Sequence, residues 1–266
     1  MSQSPPPTSP YAPPQTALYD ERIEHADKIG RTERLQVDIG EAIGYPFQSP
    51  QWWQVCLMLG LFSLVPFVGV FHGFGYARRI FEAVNRGETQ LPPLETDGLV
   101  DDIKDGFWVF LAWFFNLLPV LIPTYVLMFG GIVLIDTELE TVGFVLFSIG
   151  ILFSMVSGLL LNVIVPEAFR RLYQGERNII FNPGPSIRAA RSAPGPLLLT
   201  ILGGFCAGAI GSMGVFACYF GMLFTFPLAA MINAHFVAQW SQVVRTTAKQ
   251  AEDESGPPRP NPPPMR

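Results

Sequence analysis

Charge is scarce in this sequence. Only 15% of its 266 residues are Asp, Glu, Lys or Arg, against about a quarter in a soluble domain, while 49% are apolar. The shortage is concentrated. Trp52 to Tyr76, Phe107 to Ile135, Val142 to Val165 and Leu197 to Trp240 contain no charged side chain at all. A helix of about 20 such residues, rising about 1.5 Å per residue, matches the roughly 30 Å hydrocarbon thickness of a bilayer, so each run is long enough to cross one. The last run would extend about 66 Å as a single helix and must fold back on itself. The expected reversal lies in "GAIGSMG", where Gly208, Gly211 and Gly214 permit a tight turn, giving spans near 197–211 and 215–240.

Other absences narrow the function. The three cysteines, Cys56, Cys206 and Cys218, lie inside apolar runs and form neither a disulfide framework nor a metal spacing; they read as small apolar residues. A net charge of −5 and a pI near 5.2 leave no basic surface for nucleic acid. The apolar runs hold no carboxylate, which argues against an ion-coupled carrier. Walker, Rossmann, HExxH and GxSxG patterns are missing too, so no catalytic residue, cofactor site or metal site is assigned. The start, "MSQSPPPTSPYAPPQ", has neither the basic residues nor the apolar core of a secretory signal, so insertion is expected to depend on the internal runs.

What is present describes an all-α polytopic helical membrane protein. Apolar segments at 107–135, 142–165, 197–211 and 215–240 are read as four spans. The segment at 52–76 either spans or re-enters, because Pro66 and Gly69 interrupt its middle and two half-helices meeting there would form a hairpin. Basic residues set the orientation. Arg78, Arg79, Arg86 and Lys104 in one connector, and Arg170, Arg171, Arg177, Arg188 and Arg191 in another, place both in the cytoplasm, with the C-terminus beside them, while "DTELET" faces outward. A fifth full crossing would put Arg22, Lys28, Arg31 and Arg34 outside, which favours re-entry. The membrane domain is bounded at 35–244, between proline-rich tails at 1–34 and 245–266 that are expected to be disordered.

Amphipathic segments border the runs. "RLQVDIGEAIGYPFQSPQWW" reads as a short interfacial helix ending in two tryptophans. In "GYARRIFEAVNRGETQLPP", Tyr76, Ile80, Phe81 and Val84 share one helical face and Arg78, Arg79, Glu82 and Arg86 the other, with Gly87 as the stop and Pro92 and Pro93 preventing resumption. A second unit, "EAFRRLYQGERNIIFNPGP", repeats the aromatic, Arg-Arg, Gly-Glu and proline order. Arg78, Arg79, Arg170, Arg171, Arg188 and Arg191 are the candidate contacts to anionic lipid headgroups. Asp97, Asp101 and Asp105 fall along one side of a helix without calcium-loop spacing, so they read as a solvated helix start. Asn116 is expected to serve carbonyls freed at Pro119 and Pro123, and His72 and His235 to be packing residues. Gly204 and Gly208 mark a close helix seam.

The order "EAIGYPFQSPQWW", a run with central proline, "GYARRIFEAVNRGETQLPP" and then Asp105-Gly106 resembles the bacterial and archaeal integral membrane family called domain of unknown function 4013. The likeness covers roughly Val37 to Trp240. It implies a membrane location and an arrangement of helices, and carries over no catalytic residue. The expected function is a non-enzymatic component of the cytoplasmic membrane that organises lipid or a membrane-protein partner; the alternative is a channel or carrier for a small solute.

Overall fold

Asp38 begins the first described helix by a local device, its carboxylate accepting the Glu41 N–H at 3.0 Å. The capped helix α1 (Ile39–Gly44) tightens into a 3-10 turn over Tyr45–Gln48. The computed structural model describes residues 34–255 except 66, 95–97, 177–178, 180–181 and 217, with the side chains of 159, 162, 218–220, 254 and 255 also outside the description. After α1 come α2 (Trp52–Ser63), α3 (Val68–Asn85), α4 (Leu99–Ile135), α5 (Glu140–Tyr173), α6 (Gly184–Ser192), α7 (Pro194–Phe216) and α8 (Cys218–Ser255), with no strand among the described residues. Glu33–Arg266 forms one compact unit. The expected N-terminal tail lies outside the described residues apart from Arg34, which pairs with Glu41 at 2.6 Å.

Among the described residues, four helices are long and apolar enough to cross a membrane: Leu99–Ile135, Glu140–Gly158, Pro194–Phe216 and Gly221–Asp253. They form two long hairpins, α4 against α5 and α7 against α8. The first apolar run instead breaks at the place marked by Pro66. Its two halves, α2 and α3, fold back on each other across Phe67, the one described non-glycine residue with a left-handed backbone, φ 67°. Gly69 makes the reversal possible, since a Cβ there would overlap the backbone of Phe62 and Ser63. The Phe62 ring then meets His72 edge-on at 4.9 Å.

Two boundaries differ from expectation. Helix α7 runs unbroken through Gly208 and Gly211 to Phe216, so the reversal falls at the junction with Cys218 rather than in the glycines. Gly211 and Gly214 serve packing, since a side chain at Gly214 would collide with Thr225 of the returning helix and one at Gly211 would press on Ala229, whereas at Gly208 it would meet nothing within 4 Å. At the other end, α8 continues to Ser255, past the expected boundary at 244. Arg245 donates to Asn85 and anchors that turn to the end of α3, while Thr246 donates to the Gln242 carbonyl within α8 and residues 248–253 are exposed.

The amphipathic face of α3 is buried as its spacing requires, with Tyr76, Ile80, Phe81 and Val84 in the core. Its C-terminus is a Schellman motif: Gly87 has φ 81°, the Glu88 N–H reaches the Ala83 carbonyl and the Gly87 N–H reaches the Val84 carbonyl. Gly175 and Glu176 close α5 with the same pair of bonds, to Leu172 and Arg171, so the sequence repeat is also a repeat of cap geometry. Helices α3 and α4 approach through reciprocal glycines. A Cβ at Gly75 would overlap the Asp102 carbonyl, and one at Gly106 the Phe71 carbonyl. Gly75→Ala and Gly106→Ala should each destabilise the bundle by about 1–3 kcal/mol through overpacking. Gly73→Ala, one face away with nothing within 4 Å, should not. Thermal unfolding in detergent, followed by circular dichroism, checks the contrast; equal melting of all three variants would contradict the reciprocal contact.

Candidate functional site: a polar docking helix beside an apolar cleft

His235, Gln239, Gln242 and Thr246 recur at helical spacing along α8, and all are buried. Gln239 uses its whole amide: Oε1 accepts the Asp38 N–H at 2.8 Å, while Nε2 faces the Asp38 carbonyl at 3.2 Å and His235 Nδ1 at 3.2 Å. Because that nitrogen donates, Nδ1 accepts, which puts the His235 proton on Nε2, 3.8 Å from Glu41 Oε1. The Tyr45 ring covers His235 at 4.5 Å. Its hydroxyl donates to the Gln90 carbonyl, and burial, reinforced by Glu88, pushes the phenol well above its ordinary pKa, so it stays a donor at working pH. Gln242 donates to the Val84 carbonyl and Trp240 to Glu167 Oε2 at 2.9 Å. Segment 34–48 and the ends of α3 and α5 therefore gather on the C-terminal half of α8. Rather than lying free at an interface, α1 is docked.

The arginine candidates separate into two groups. Arg78 pairs with Glu82 and Asp105, at 3.0 and 3.1 Å. Arg79 holds Asp102 at 3.0 Å and the Pro93 carbonyl at 2.7 Å, beside the Pro92 carbonyl that Tyr76 binds. Arg170 forms a fork on Glu167, which is 1% exposed. Arg171, also 1% exposed, binds Glu176, the Asn182 carbonyl and Ser186, and is closed off from any headgroup. Arg188 and Arg191 are exposed on α6, where Ser186 and Ala189 face inward. Among the described residues neither has an ion-pair partner.

Asp102 is the residue that spacing concealed. Asp97 lies outside the described residues and Asp101 is exposed, whereas Asp102 is buried against α3, with His72 Nδ1 at 3.8 Å. Gly106 and Val109, four and seven residues on, share its buried face, and that periodicity was the available signal. The Asn116 amide donates to the Ala112 carbonyl at 2.6 Å, one turn before the Phe115 carbonyl that Pro119 leaves. Arg78 and Asp105 border a hollow of only about 70 Å³, too small for a headgroup.

A larger cavity lies among α2, α3, α5, α7 and α8. It measures about 570 Å³, within the range of small-molecule sites, and its walls are apolar or small, including Leu59, Gly73, Phe169, Ile201, Pro227 and Met231. The polar side chains on its wall are mostly satisfied. Ser63 donates to the Gly60 carbonyl, Thr200 to that of Pro196 and Tyr76 to that of Pro92. Residues 58–220, from inside α2 to the start of α8, match the family described as protein of unknown function, DUF4013. The chain belongs to that family. No curated protein and no solved structure matches it. The DUF4013 span takes in α3, α5 and α7 whole, the second half of α2 and the opening of α8, and leaves the docking half of α8 and residues 34–48 outside.

Gln239→Leu keeps the side-chain volume and deletes both bonds to Asp38. Leaving that backbone unpaired should cost about 1–3 kcal/mol and release the segment around 34–48. Limited proteolysis in detergent should cut there faster than in wild type, and an unchanged cleavage rate would refute the docking role.

Proposed function

We propose that this protein is a non-enzymatic, multi-pass component of the cytoplasmic membrane that organises lipid. The observation that carries the reading is the division of its surface. Ionisable groups at the polar end are largely engaged with one another, while an apolar cavity stays open between the helices. Chemistry of the hydrolytic or transfer kind needs a nucleophile or acid–base pair at a substrate-sized hollow. The large cavity has a wall that is apolar apart from a few, mostly satisfied, uncharged polar groups. A channel for a small polar solute is less well supported, since its path would need polar lining along the whole span.

Topology follows from the docking contacts. Asp38 with Gln239, Val84 with Gln242 and Glu167 with Trp240 put the N-terminal segment, the end of α3, the end of α5 and the end of α8 at one end of the bundle. Four crossings satisfy that arrangement when α2 and α3 enter and leave on the same side. With 12 residues, α2 is about 18 Å long, short of the hydrocarbon thickness, and the exposed Leu64, Val65 and Phe67 suit its tip to lipid. The basic connectors support a cytoplasmic position for the shared end, with Arg188 and Arg191 at headgroup level.

Single-cysteine labelling of intact cells, in a background lacking the native cysteines, tests the topology: positions near 36 and 250 should both be protected, and labelling of either from outside overturns the hairpin. For lipid organisation, protein purified in lipid-preserving polymer discs should retain anionic lipid above its bulk share. R188Q/R191Q should lower that excess several-fold. Retention of lipid in bulk proportions by the wild type would refute the reading.

A further inference from the structure

The large cavity holds one polar group whose bonding is incomplete. Asn233 lies on its wall, with Oδ1 facing Gly204 of α7, close enough that a Cβ on that glycine would stand 3.5 Å away. Among the described residues no hydrogen bond satisfies its amide. At bilayer depth water is not at hand to serve it, and an amide without a partner in an apolar setting is costly. Position sharpens the point. Asn233 is a turn and a half along α8 from Gln239, which binds the segment at the polar end. Beyond it the cavity continues to Phe226 and Pro227, and from Val237 to Phe226 its wall extends about 16 Å along the helix. The elongated apolar slot thus carries, among its described lining residues, one hydrogen-bonding side chain left without a partner, near the end facing the headgroups.

We propose that the cavity seats one acyl chain of an ester-linked membrane glycerolipid, with the Asn233 amide donating to the ester carbonyl. A glycerolipid presents this pattern in this order: a polar head at the surface, a carbonyl acceptor just below it, then an uninterrupted hydrocarbon chain. Small residues make the room. Gly73 and Gly204 both face the slot, and at Gly73 an added Cβ would meet nothing within 4 Å. The assignment deepens the lipid-organising function and rests on it, but concerns a single enclosed lipid rather than the exposed arginines of α6.

Native mass spectrometry of delipidated full-length protein, titrated with dipalmitoyl phosphatidylglycerol and with its diether counterpart, decides the matter. Wild type should take up one ester lipid about tenfold more tightly than the diether, which lacks the carbonyl; a tenfold ratio matches one hydrogen bond. Asn233→Leu should remove that preference and leave diether binding in place. Gly73→Leu should fill the slot and abolish the bound lipid while circular dichroism and melting stay as in wild type. If Gly73→Leu perturbs melting, Gly204→Leu provides the same test from the opposite wall. Full occupancy in a folded filled-slot variant would overturn the proposal, as would equal affinity for ester and diether lipids in wild type. Displacement of the lipid by equimolar palmitate would overturn the glycerolipid assignment. Full lipid occupancy in folded Gly73→Leu alongside anionic enrichment that depends on Arg188 and Arg191 would refute the seated chain and leave the broader function standing.

Discussion

The rest of the structure depends on satisfying the buried polar stripe of α8. A helix that carries His235, Gln239, Trp240, Ser241, Gln242 and Arg245 just after an apolar stretch is costly to bury until each polar group finds a partner. The partners come from elsewhere in the chain: the backbone at Asp38, the Val84 carbonyl, Asn85, Glu167 and Gln174. These segments are far apart in sequence, so the bonds can be made together only if all of them converge on one end of the bundle. A demand of local hydrogen bonding thereby becomes a rule of topology, and the short α2–α3 hairpin is one consequence of it.

Electrostatics strengthen the same end. Glu167 is buried and would be intolerable alone, but it receives the Arg170 fork and the Trp240 indole N–H together. The Arg79–Asp102 pair sits where the glycine contacts draw α3 and α4 within backbone distance, so packing brings the charges together and the charges fix the register of the packing. Arginines that would otherwise mark a membrane face are absorbed in this way. Residues 58–220, the span shared with DUF4013, supply the charge pairs between α3 and α4 and the internal pairs of α5, whereas the partners on α8 and in 34–48 lie beyond it.

Much of this was legible in the residues. Uncharged runs specify apolar helices because few alternatives exist for 20 such residues, and a proline within such a run, having no N–H to donate, signals an interruption of the kind found between Ser63 and Val68. The buried face of α3 and the stop at Gly87 were equally open to reading, since spacing and a positive φ each have one common solution. Ambiguity began where one residue type has two uses. Glycine serves turns and close packing alike, so Gly208, Gly211 and Gly214 suggested a reversal that the helix does not make. A four-residue interval draws a line on a helix without saying which line is buried, and Asp102 rather than Asp101 or Asp105 faced inward for that reason. The polar stripe of α8 escaped notice because glutamine, histidine and threonine carry no formal charge.

The cavity follows from closure at only one end. Helix α5 meets α8 through Glu167–Trp240 and Gln174–Ser241, both at the polar end, while beyond Pro166 it packs chiefly along α4. The α2–α3 hairpin fills the intervening space but presents Gly73 and Ala77 where a larger wall would have closed it. Polar contacts thus hold the bundle shut beneath a gap that apolar packing does not fill. Such a gap is costly when empty, since its lining forfeits dispersion contacts, and in a bilayer the neighbouring hydrocarbon is always at hand to supply them. The tightness of the polar end and the looseness above it are therefore two outcomes of one arrangement: bonds that must be completed at one level leave the level above free to be completed by something else.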